Sequence, residues 1–80
     1  MPIVFRFDDI TGYVYKEYGN SHNLPHLHAY YAEFEAVMDW DGNIIEGNLP
    51  HRKRKKIREW LSKTENKRFL MERWKELNPK

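Results

Sequence analysis

The sequence predicts an α+β fold, an antiparallel meander of four or five strands followed by two C-terminal helices packed on one face of the sheet. Apolar and polar residues alternate with a period of two over much of residues 2–47, which is typical of strands. Turn-forming pairs such as Asp-Gly divide this part into short segments. From Asn48 onward the apolar residues recur at helical spacing. The 80 residues contain no repeat and no long linker, so we expect a single domain spanning residues 1–80.

Two strands are expected in the first part of the chain. Residues 3–7 alternate in polarity and predict the first strand. Residues 8–12 contain the turn signals that should follow it. Residues 13–18 are rich in tyrosine and valine, which favours a second strand there. Residues 19–23 have the composition of a loop.

The next three strands form two hairpins whose register can be predicted. Two-residue turns are expected at Ala32-Glu33 and at Asp41-Gly42, although alanine does not favour the positive φ that such a turn needs. The resulting pairs are Leu27 with Met38, Ala29 with Ala36, Tyr31 with Phe34, Trp40 with Asn43 and Met38 with Ile45. The core face is then expected to hold Leu27, Ala29, Tyr31, Phe34, Ala36, Met38, Trp40 and Ile45. The other face is expected to hold His26, His28, Tyr30, Glu35, Val37, Asp39, Ile44 and Glu46, with His26 opposite Asp39.

Two helices are predicted, at about residues 50–61 and 63–77. Pro50 fits the first turn of a helix, because that position needs no backbone N–H. Ser62 begins a Ser-Lys-Thr-Glu sequence, which is a capping-box candidate for the second helix. Trp60, Phe69 and Trp74 belong to the apolar stripes of these helices and are interpreted as core rather than as a stacking platform.

Charge is unevenly distributed along the chain. Residues 1–50 carry two basic and eight acidic residues, a net charge of −6, whereas residues 51–80 carry twelve basic and four acidic residues, a net charge of +8. This split favours either complementarity within the fold or a basic binding face.

Composition excludes several classes of protein. The chain has no cysteine, which rules out disulfides and thiolate zinc sites. Neither a signal peptide nor an apolar run near the roughly 20 residues of a membrane-spanning helix is recognisable. We therefore expect a cytoplasmic protein that does not associate with a membrane.

The segment Leu24-Pro25-His26-Leu27-His28 is the strongest candidate for a functional site. In a strand its two histidines point to the same side. Together with Asp39 they form a candidate catalytic or metal site, because two imidazoles and a carboxylate are a common ligand set for a divalent metal, to which His22 or Glu46 could add. A His26–Asp39 acid–base pair is the metal-free version. The structural alternative, which we favour and which needs no cofactor, is that the histidines tie the loop to the sheet by hydrogen bonds.

The basic run that starts at His51 is a second candidate site. Clustered cations neutralise phosphates, which favours contact with nucleic acid, while a solvated helix face is the structural alternative. The residues assigned to this contact are Arg52, Lys53, Lys55, Lys56, Lys63 and Lys67. No recognition-helix or RNA-binding signature is present, so base specificity is not predicted.

Several separated segments resemble a bacterial family of small proteins, a domain of unknown function whose signature is a Pro-Pro-His-x-His segment leading into a strand. The resemblance covers about residues 1–77 and is carried by residues 24–29, residues 45–50, Glu59-Trp60-Leu61 and Trp74. Leu24 and Ala32 stand where that family usually has proline and glycine, whereas His26 and His28 match. The resemblance implies a small α+β domain, often encoded beside another small protein and suspected to be a toxin–antitoxin component.

The function that we expect is that of a small cytoplasmic bacterial protein acting through a protein partner, as one half of a toxin–antitoxin-like pair. The partner is either a small protein encoded nearby or a second copy of the chain. The alternative is a nucleic-acid-binding protein or nuclease that uses the basic helix and the His26/His28 pair. No complete catalytic signature is present, so the sequence does not decide whether the protein is an enzyme.

Overall fold

The computed structural model describes residues 3–16 and 24–78 and confirms the α+β fold. The elements are β1 (Ile3–Phe7), β2 (Ile10–Tyr13), β3 (Leu27–Tyr31), β4 (Phe34–Met38), β5 (Ile44–Gly47), α1 (His51–Leu61) and α2 (Thr64–Leu77). The strands form one antiparallel sheet in the order β1-β2-β3-β4-β5, which is also their order in the chain. The sheet is therefore the simple meander that the sequence predicts.

The β1–β2 hairpin closes earlier than expected. Asp8 and Asp9 form its turn with φ values of 53° and 65°. Two consecutive positive φ values are characteristic of a type I′ turn, which aspartate tolerates better than most residues. Because β2 starts directly after this turn, the prediction of a strand beginning at Tyr13 is wrong: β2 ends at that residue. The predicted loop at 19–23 lies outside the described residues.

Gly12 lies beneath an aromatic ring. It pairs with Phe5 across the β1–β2 ladder, and a Cβ at this position would come within 2.4 Å of the Phe5 ring. That ring in turn stacks on Phe7 at 5.0 Å and packs at a tilt against Trp60 at 4.8 Å between centroids. The glycine therefore makes room for the ring that joins the first hairpin to α1.

The predicted register of the β3–β4 hairpin is confirmed. Its pairs include Leu27 with Met38, Ala29 with Ala36 and Tyr31 with Phe34. Ala32 adopts the positive φ that the two-residue turn requires, at 52°. The turn therefore forms at the predicted place with alanine at its first position.

The predicted register of β5 holds at two pairs, Val37 with Glu46 and Ala36 with Gly47, and shifts by one residue only at Met38, which pairs with Ile44 across a bulge. Asp39 and Asn43 flank a turn of three residues rather than two, and the Asp39 N–H donates to the Asn43 carbonyl at 3.0 Å. The last turn residue, Gly42, has a φ of 85°, as expected for a three-residue loop with a left-handed third position. Ile44 therefore takes the place across from β4 that was predicted for Ile45. Ile44 packs against the core and Ile45 is 50% exposed, the reverse of their predicted faces.

The helices lie close to their predicted bounds, but their ends differ from the prediction. Pro50 immediately precedes α1 instead of lying within its first turn. The capping-box prediction is wrong, because Ser62 ends α1 and its hydroxyl donates to the Glu59 carbonyl at 2.6 Å. This bond satisfies one of the carbonyl groups that a helix end leaves without an intrahelical partner. Neither described helix is long and apolar enough to cross a membrane.

The two faces of the sheet have different surroundings. Both helices pack on one face, where their buried residues join those of the strands in one core cluster. The helical members of this cluster are Leu61, Ile57, Leu70 and Trp74. Neither described helix packs on the opposite face, which we call the open sheet face. Its side chains are Ile3, Arg6, Thr11, Tyr13, Tyr15, His28, Tyr30, Glu35, Val37 and Glu46.

Candidate functional site

His26 is a buried residue immediately before β3, with 6% of its surface exposed. Its Nδ1–H donates to the carbonyl oxygen of Leu24 at 2.8 Å. Its ring packs on Trp74 of α2, with 5.0 Å between centroids. His26 thus connects the chain before β3 to the helical layer, which is the kind of contact expected of a structural histidine.

His28 lies beside His26, but only His28 belongs to β3; His26, which was predicted on the face away from the core, packs against α2 instead. The two imidazole centroids are 5.3 Å apart. The His28 ring also meets the ring of Tyr15 edge-on at 4.7 Å. An open cavity of about 300 Å³ borders His28 and is lined in addition by Glu35, Val37, Glu46 and Gly47. His28 is therefore the member of the pair that reaches the open sheet face.

Asp39 is engaged elsewhere. Its carboxylate accepts the backbone N–H groups of Asp41 and Asn43, each at 2.9 Å, and the side-chain amide of Asn43 at 3.2 Å. Burial alone raises the pKa of Asp39, but these hydrogen bonds outweigh it and hold the pKa below its ordinary value. The carboxylate that was proposed as a metal ligand or catalytic partner thus organises the β4–β5 turn.

No metal-binding cluster is formed by the parts of the chain that the structure describes. Among those residues, no group of three or more His, Asp or Glu side chains is placed to hold a metal ion. Glu46 lies at the cavity beside His28 rather than with Asp39. His22, which was predicted as a further ligand, lies outside the described residues.

A cluster of three tyrosines occupies the open sheet face. Tyr13 and Tyr15 stack almost parallel at 5.6 Å, and Tyr30 meets Tyr13 edge-on at 5.3 Å. The hydroxyl groups of Tyr15 and Tyr30 are 3.1 Å apart. This hydrogen bond, burial and the nearby Glu35 all raise the pKa of Tyr30, so its phenol stays neutral. An open cavity of about 350 Å³ is lined by Thr11, Tyr13, Tyr15 and Tyr30.

The sequence indicates this cluster only in part. Tyr13 and Tyr15 share a face by simple alternation. Their meeting with Tyr30 depends on the pairing of β2 with β3, which places Thr11 across from Tyr30 and Tyr13 across from His28. Since β2 ends at Tyr13 and β3 begins only at Leu27, no local pattern could have given that register.

The predicted nucleic-acid contacts fall into different environments. The residues that are exposed are Arg52, Lys55, Lys56 and Lys63. Lys53 is 8% exposed, and its ammonium group binds the carbonyl of Asp8 at 3.0 Å and the carboxylate of Asp8 at 3.2 Å. Lys67 is half-buried and forms an ion pair with Asp41 at 3.3 Å. The fold therefore takes Lys53 out of the exposed basic surface and leaves four of the six cations facing solvent.

A surface depression at α1 was not anticipated from the sequence. It has a volume of about 330 Å³ and is lined by Phe7, Lys56, Glu59, Trp60 and Lys63. Trp60 was interpreted as core, yet it is only half-buried and lines this depression. The helical spacing of Lys56, Trp60 and Lys63 is a signal that could have indicated it, but the contribution of Phe7 required the tertiary fold.

Comparison with known proteins places most of the chain in one family. No curated protein and no solved structure shows significant similarity to it. The family model described as a domain of unknown function (DUF4160) matches residues 10–75. The match includes the histidine pair, the three tyrosines and nearly all of both helices. Since it covers well over half of the sequence, the chain belongs to the DUF4160 family.

Proposed function

We propose that the protein acts by binding a partner protein on its open sheet face. The observation that carries this proposal is the tyrosine cluster, whose three half-buried rings contact one another on the face of the sheet away from both described helices. Tyrosine supplies a large apolar area together with a polar group, and it is enriched in protein interfaces. The half-buried Val37 beside the cluster extends the apolar area.

The charges of this face favour a partner with a basic surface. Glu35 and Glu46 lie together on β4 and β5 beside His28, whereas Arg6 lies on β1 at the opposite edge. Pairing of two copies through the same face would bring these acidic patches together, which like-charge repulsion disfavours. The proposed occupant is therefore a different protein, not a second copy of the chain.

The resemblance that the sequence shows supports a more specific version of this proposal. Small proteins of the type that it resembles are often encoded beside another small protein and are suspected to be toxin–antitoxin components. We propose that the chain is one half of such a pair in the bacterial cytoplasm. We also propose that residues 24–28 correspond to the Pro-Pro-His-x-His signature, with Leu24 in place of its first proline.

The first test measures complex formation with the product of the adjoining reading frame. Size-exclusion chromatography with light scattering should give a monomer for the chain alone and a larger complex for the mixture. Glu35→Lys should weaken the complex about tenfold or more, because it places a cation in the acidic part of the face. The matched control is Glu72→Lys, an equally exposed glutamate on α2, which should leave the affinity unchanged. Equal affinities for both variants would show that the open sheet face is not the interface.

The toxin–antitoxin version has its own test. Induced expression of one protein alone in a bacterial host should arrest growth, and co-expression of the other should restore it. Glu35→Lys should abolish the restoration, while Glu72→Lys should not. Normal growth with either protein expressed alone would rule out the toxin–antitoxin version. The binding proposal would then be decided by the chromatography experiment alone.

A second candidate function is contact with nucleic acid. The observation that favours it is the group of four exposed cations, none of which pairs with an acid in the described part of the chain: Arg52, Lys55, Lys56 and Lys63. Anisotropy of a labelled single strand should show binding that weakens with salt. Four phosphate contacts predict a slope of about −3 in a plot of log affinity against log salt concentration. Glutamine at all four positions should remove the binding, and an affinity independent of salt would exclude phosphate contact.

The catalytic and metal-binding assignments of His26, His28 and Asp39 stay predictions. The nuclease version predicts that His28→Ala stops cleavage of a single strand but leaves its binding intact. The metal version predicts a calorimetric signal when micromolar zinc or iron is titrated into the wild-type protein, lost in His28→Ala. The absence of a signal in the wild-type protein would end the metal proposal.

A further inference from the structure

The depression on α1 is built around two aromatic rings. Phe7 and Trp60 are both half-buried and lie 6.4 Å apart between centroids. The buried Phe5 ring packs against both of them, at 5.0 Å from Phe7 and 4.8 Å from Trp60. Trp60 is therefore held from behind while part of its ring borders the cavity of about 330 Å³. A fixed, partly exposed indole is a suitable surface for stacking a flat ligand.

The charged residues around these rings are mostly basic. Lys56 and Lys63 line the depression together with Glu59. Helical spacing places Arg52 one turn before Lys56, so it extends the same side of α1. Three cations and one carboxylate give this stripe a net charge of +2. Neither Lys56 nor Lys63 has an ion-pair partner among the described residues, so both ammonium groups can receive an anion.

We infer that this depression binds one nucleotide of a single-stranded nucleic acid, with the base stacked on Trp60 and the flanking phosphates bound by Lys56 and Lys63. The inference rests on the second of the proposed functions and adds a site to it. A ring floor with a cationic rim matches the two parts of a nucleotide, which are a flat base and an anionic backbone. A base in a duplex is stacked on its neighbours and cannot enter, so the ligand is a single strand.

The open sheet face is less suited to this ligand although it is also aromatic. Its tyrosines lie beside Glu35 and Glu46, which repel phosphate. The depression on α1 combines rings with cations, and the open sheet face combines rings with acids. The two surfaces thus favour ligands of opposite charge.

The experiment compares two probes of equal length, an oligothymidylate of about ten nucleotides and the same backbone without bases. Tryptophan fluorescence reports stacking, and Trp40 and Trp74 remain as internal references when Trp60 is changed. We expect the oligothymidylate to quench the fluorescence and to bind about tenfold more tightly than the abasic strand. Trp60→Phe should remove the quenching and reduce this ratio. Thermal unfolding of the variant establishes that it is folded.

The lysines provide a second set of variants that does not alter the core. Lys56→Gln and Lys63→Gln should weaken binding of the oligothymidylate and reduce its advantage over the abasic strand. The reason is that the phosphates flanking the stacked base are then no longer held in place. Lys55→Gln is the matched control on the same helix. It should weaken the binding of both probes to the same extent and leave the ratio of their affinities unchanged.

The outcomes separate this inference from the function on which it rests. Equal, salt-dependent binding of both probes with unchanged fluorescence overturns the nucleotide site and leaves nucleic-acid contact standing. No binding of either probe overturns both. A peptide of alternating glutamate and tyrosine represents the other occupant, an acidic protein segment, and its binding in place of the oligothymidylate also overturns the nucleotide site.

Discussion

Lys53 shows how a single side chain can change its assignment once the fold is known. In the sequence it belongs to a run of cations, but its side chain is 10% exposed and crosses from α1 to the β1–β2 turn. Besides its contacts with Asp8, its ammonium group lies 4.6 Å from the centre of the Tyr31 ring. The Asp8 carboxylate is 43% exposed, so solvent screens the ion pair, and the hydrogen bond to the Asp8 carbonyl and the ring contact carry most of the stabilisation.

We expect Lys53→Ala to lower the free energy of unfolding by about 2–3 kcal/mol, from loss of a charged hydrogen bond and of the cation–π contact. Urea denaturation measures the change. Lys55→Ala, two positions along α1 and exposed, should change stability by less than about 0.5 kcal/mol. Equal effects of the two substitutions would show that Lys53 is an ordinary surface lysine.

Asp39 gives a prediction about pH. Its folded-state pKa is lowered by the hydrogen bonds from Asn43 and Asp41, so the folded state favours the ionised carboxylate. The stabilisation is complete above the pKa of an unfolded aspartate and is lost as the pH falls through the lower folded-state value. Asp39→Asn cannot titrate, so between about pH 5 and pH 2 its unfolding free energy should fall less than that of the wild-type protein. Glu72→Gln is the control, and its unfolding free energy should fall over this pH range as much as that of the wild-type protein. If it falls as little as that of Asp39→Asn, the assignment is contradicted.

At the scale of elements, the hairpins separate what the sequence could predict from what it could not. The register of β3 and β4 followed from a two-residue turn and a consistent apolar face. The start of β5 did not, because Asp41-Gly42 fits both a two-residue and a three-residue turn, although a bulge restores the predicted register at Glu46 and Gly47. What decides between them is the Asp39 carboxylate, which holds the Asn43 N–H across the longer turn. Such a choice depends on competing local hydrogen bonds rather than on the apolar pattern.

The β3–β4 turn carries a cost that can be measured. Ala32 has a φ of 52°, a region that costs a residue with a Cβ about 1–2 kcal/mol and costs glycine little. Ala32→Gly should therefore raise the free energy of unfolding by about 1 kcal/mol, after the greater entropy of glycine in the unfolded chain is subtracted. Glu33, the next residue, does not have a positive φ, so Glu33→Gly should destabilise the protein. A loss of stability in Ala32→Gly would contradict this account of the turn.

At the scale of the whole molecule, the uneven charge of the sequence leads both to ion pairs within the fold and to a basic exposed surface. Some cations of the basic half bind acids of the sheet half, as Lys53 does with Asp8 and Lys67 with Asp41. Others remain exposed on α1. The sequence predicted the fold class because periodicity and turn chemistry are local. It did not predict which cations belong to each group, because the partner of Lys53 lies 45 residues away in the chain.

The candidate sites were predicted to different extents for the same reason. The closeness of His26 and His28 was expected from their spacing, but the packing of His26 against Trp74 was not. The tyrosine cluster and the depression at Trp60 each combine residues from separate elements, so they required the tertiary structure. The two surfaces also differ in the sign of their charge, which lets one small protein offer separate places to a basic protein and to an anionic ligand.

The order of the strands has a consequence for how the protein folds. Because every strand pairs with its neighbours in the chain, three of the four pairings close turns of only a few residues. Only the β2–β3 pairing must close a longer segment, and the entropy lost in closing a loop grows slowly with its length. Native contacts that are near in sequence are associated with fast folding in small domains. We therefore expect the sheet to assemble hairpin by hairpin and the chain to fold rapidly for a protein rich in strands.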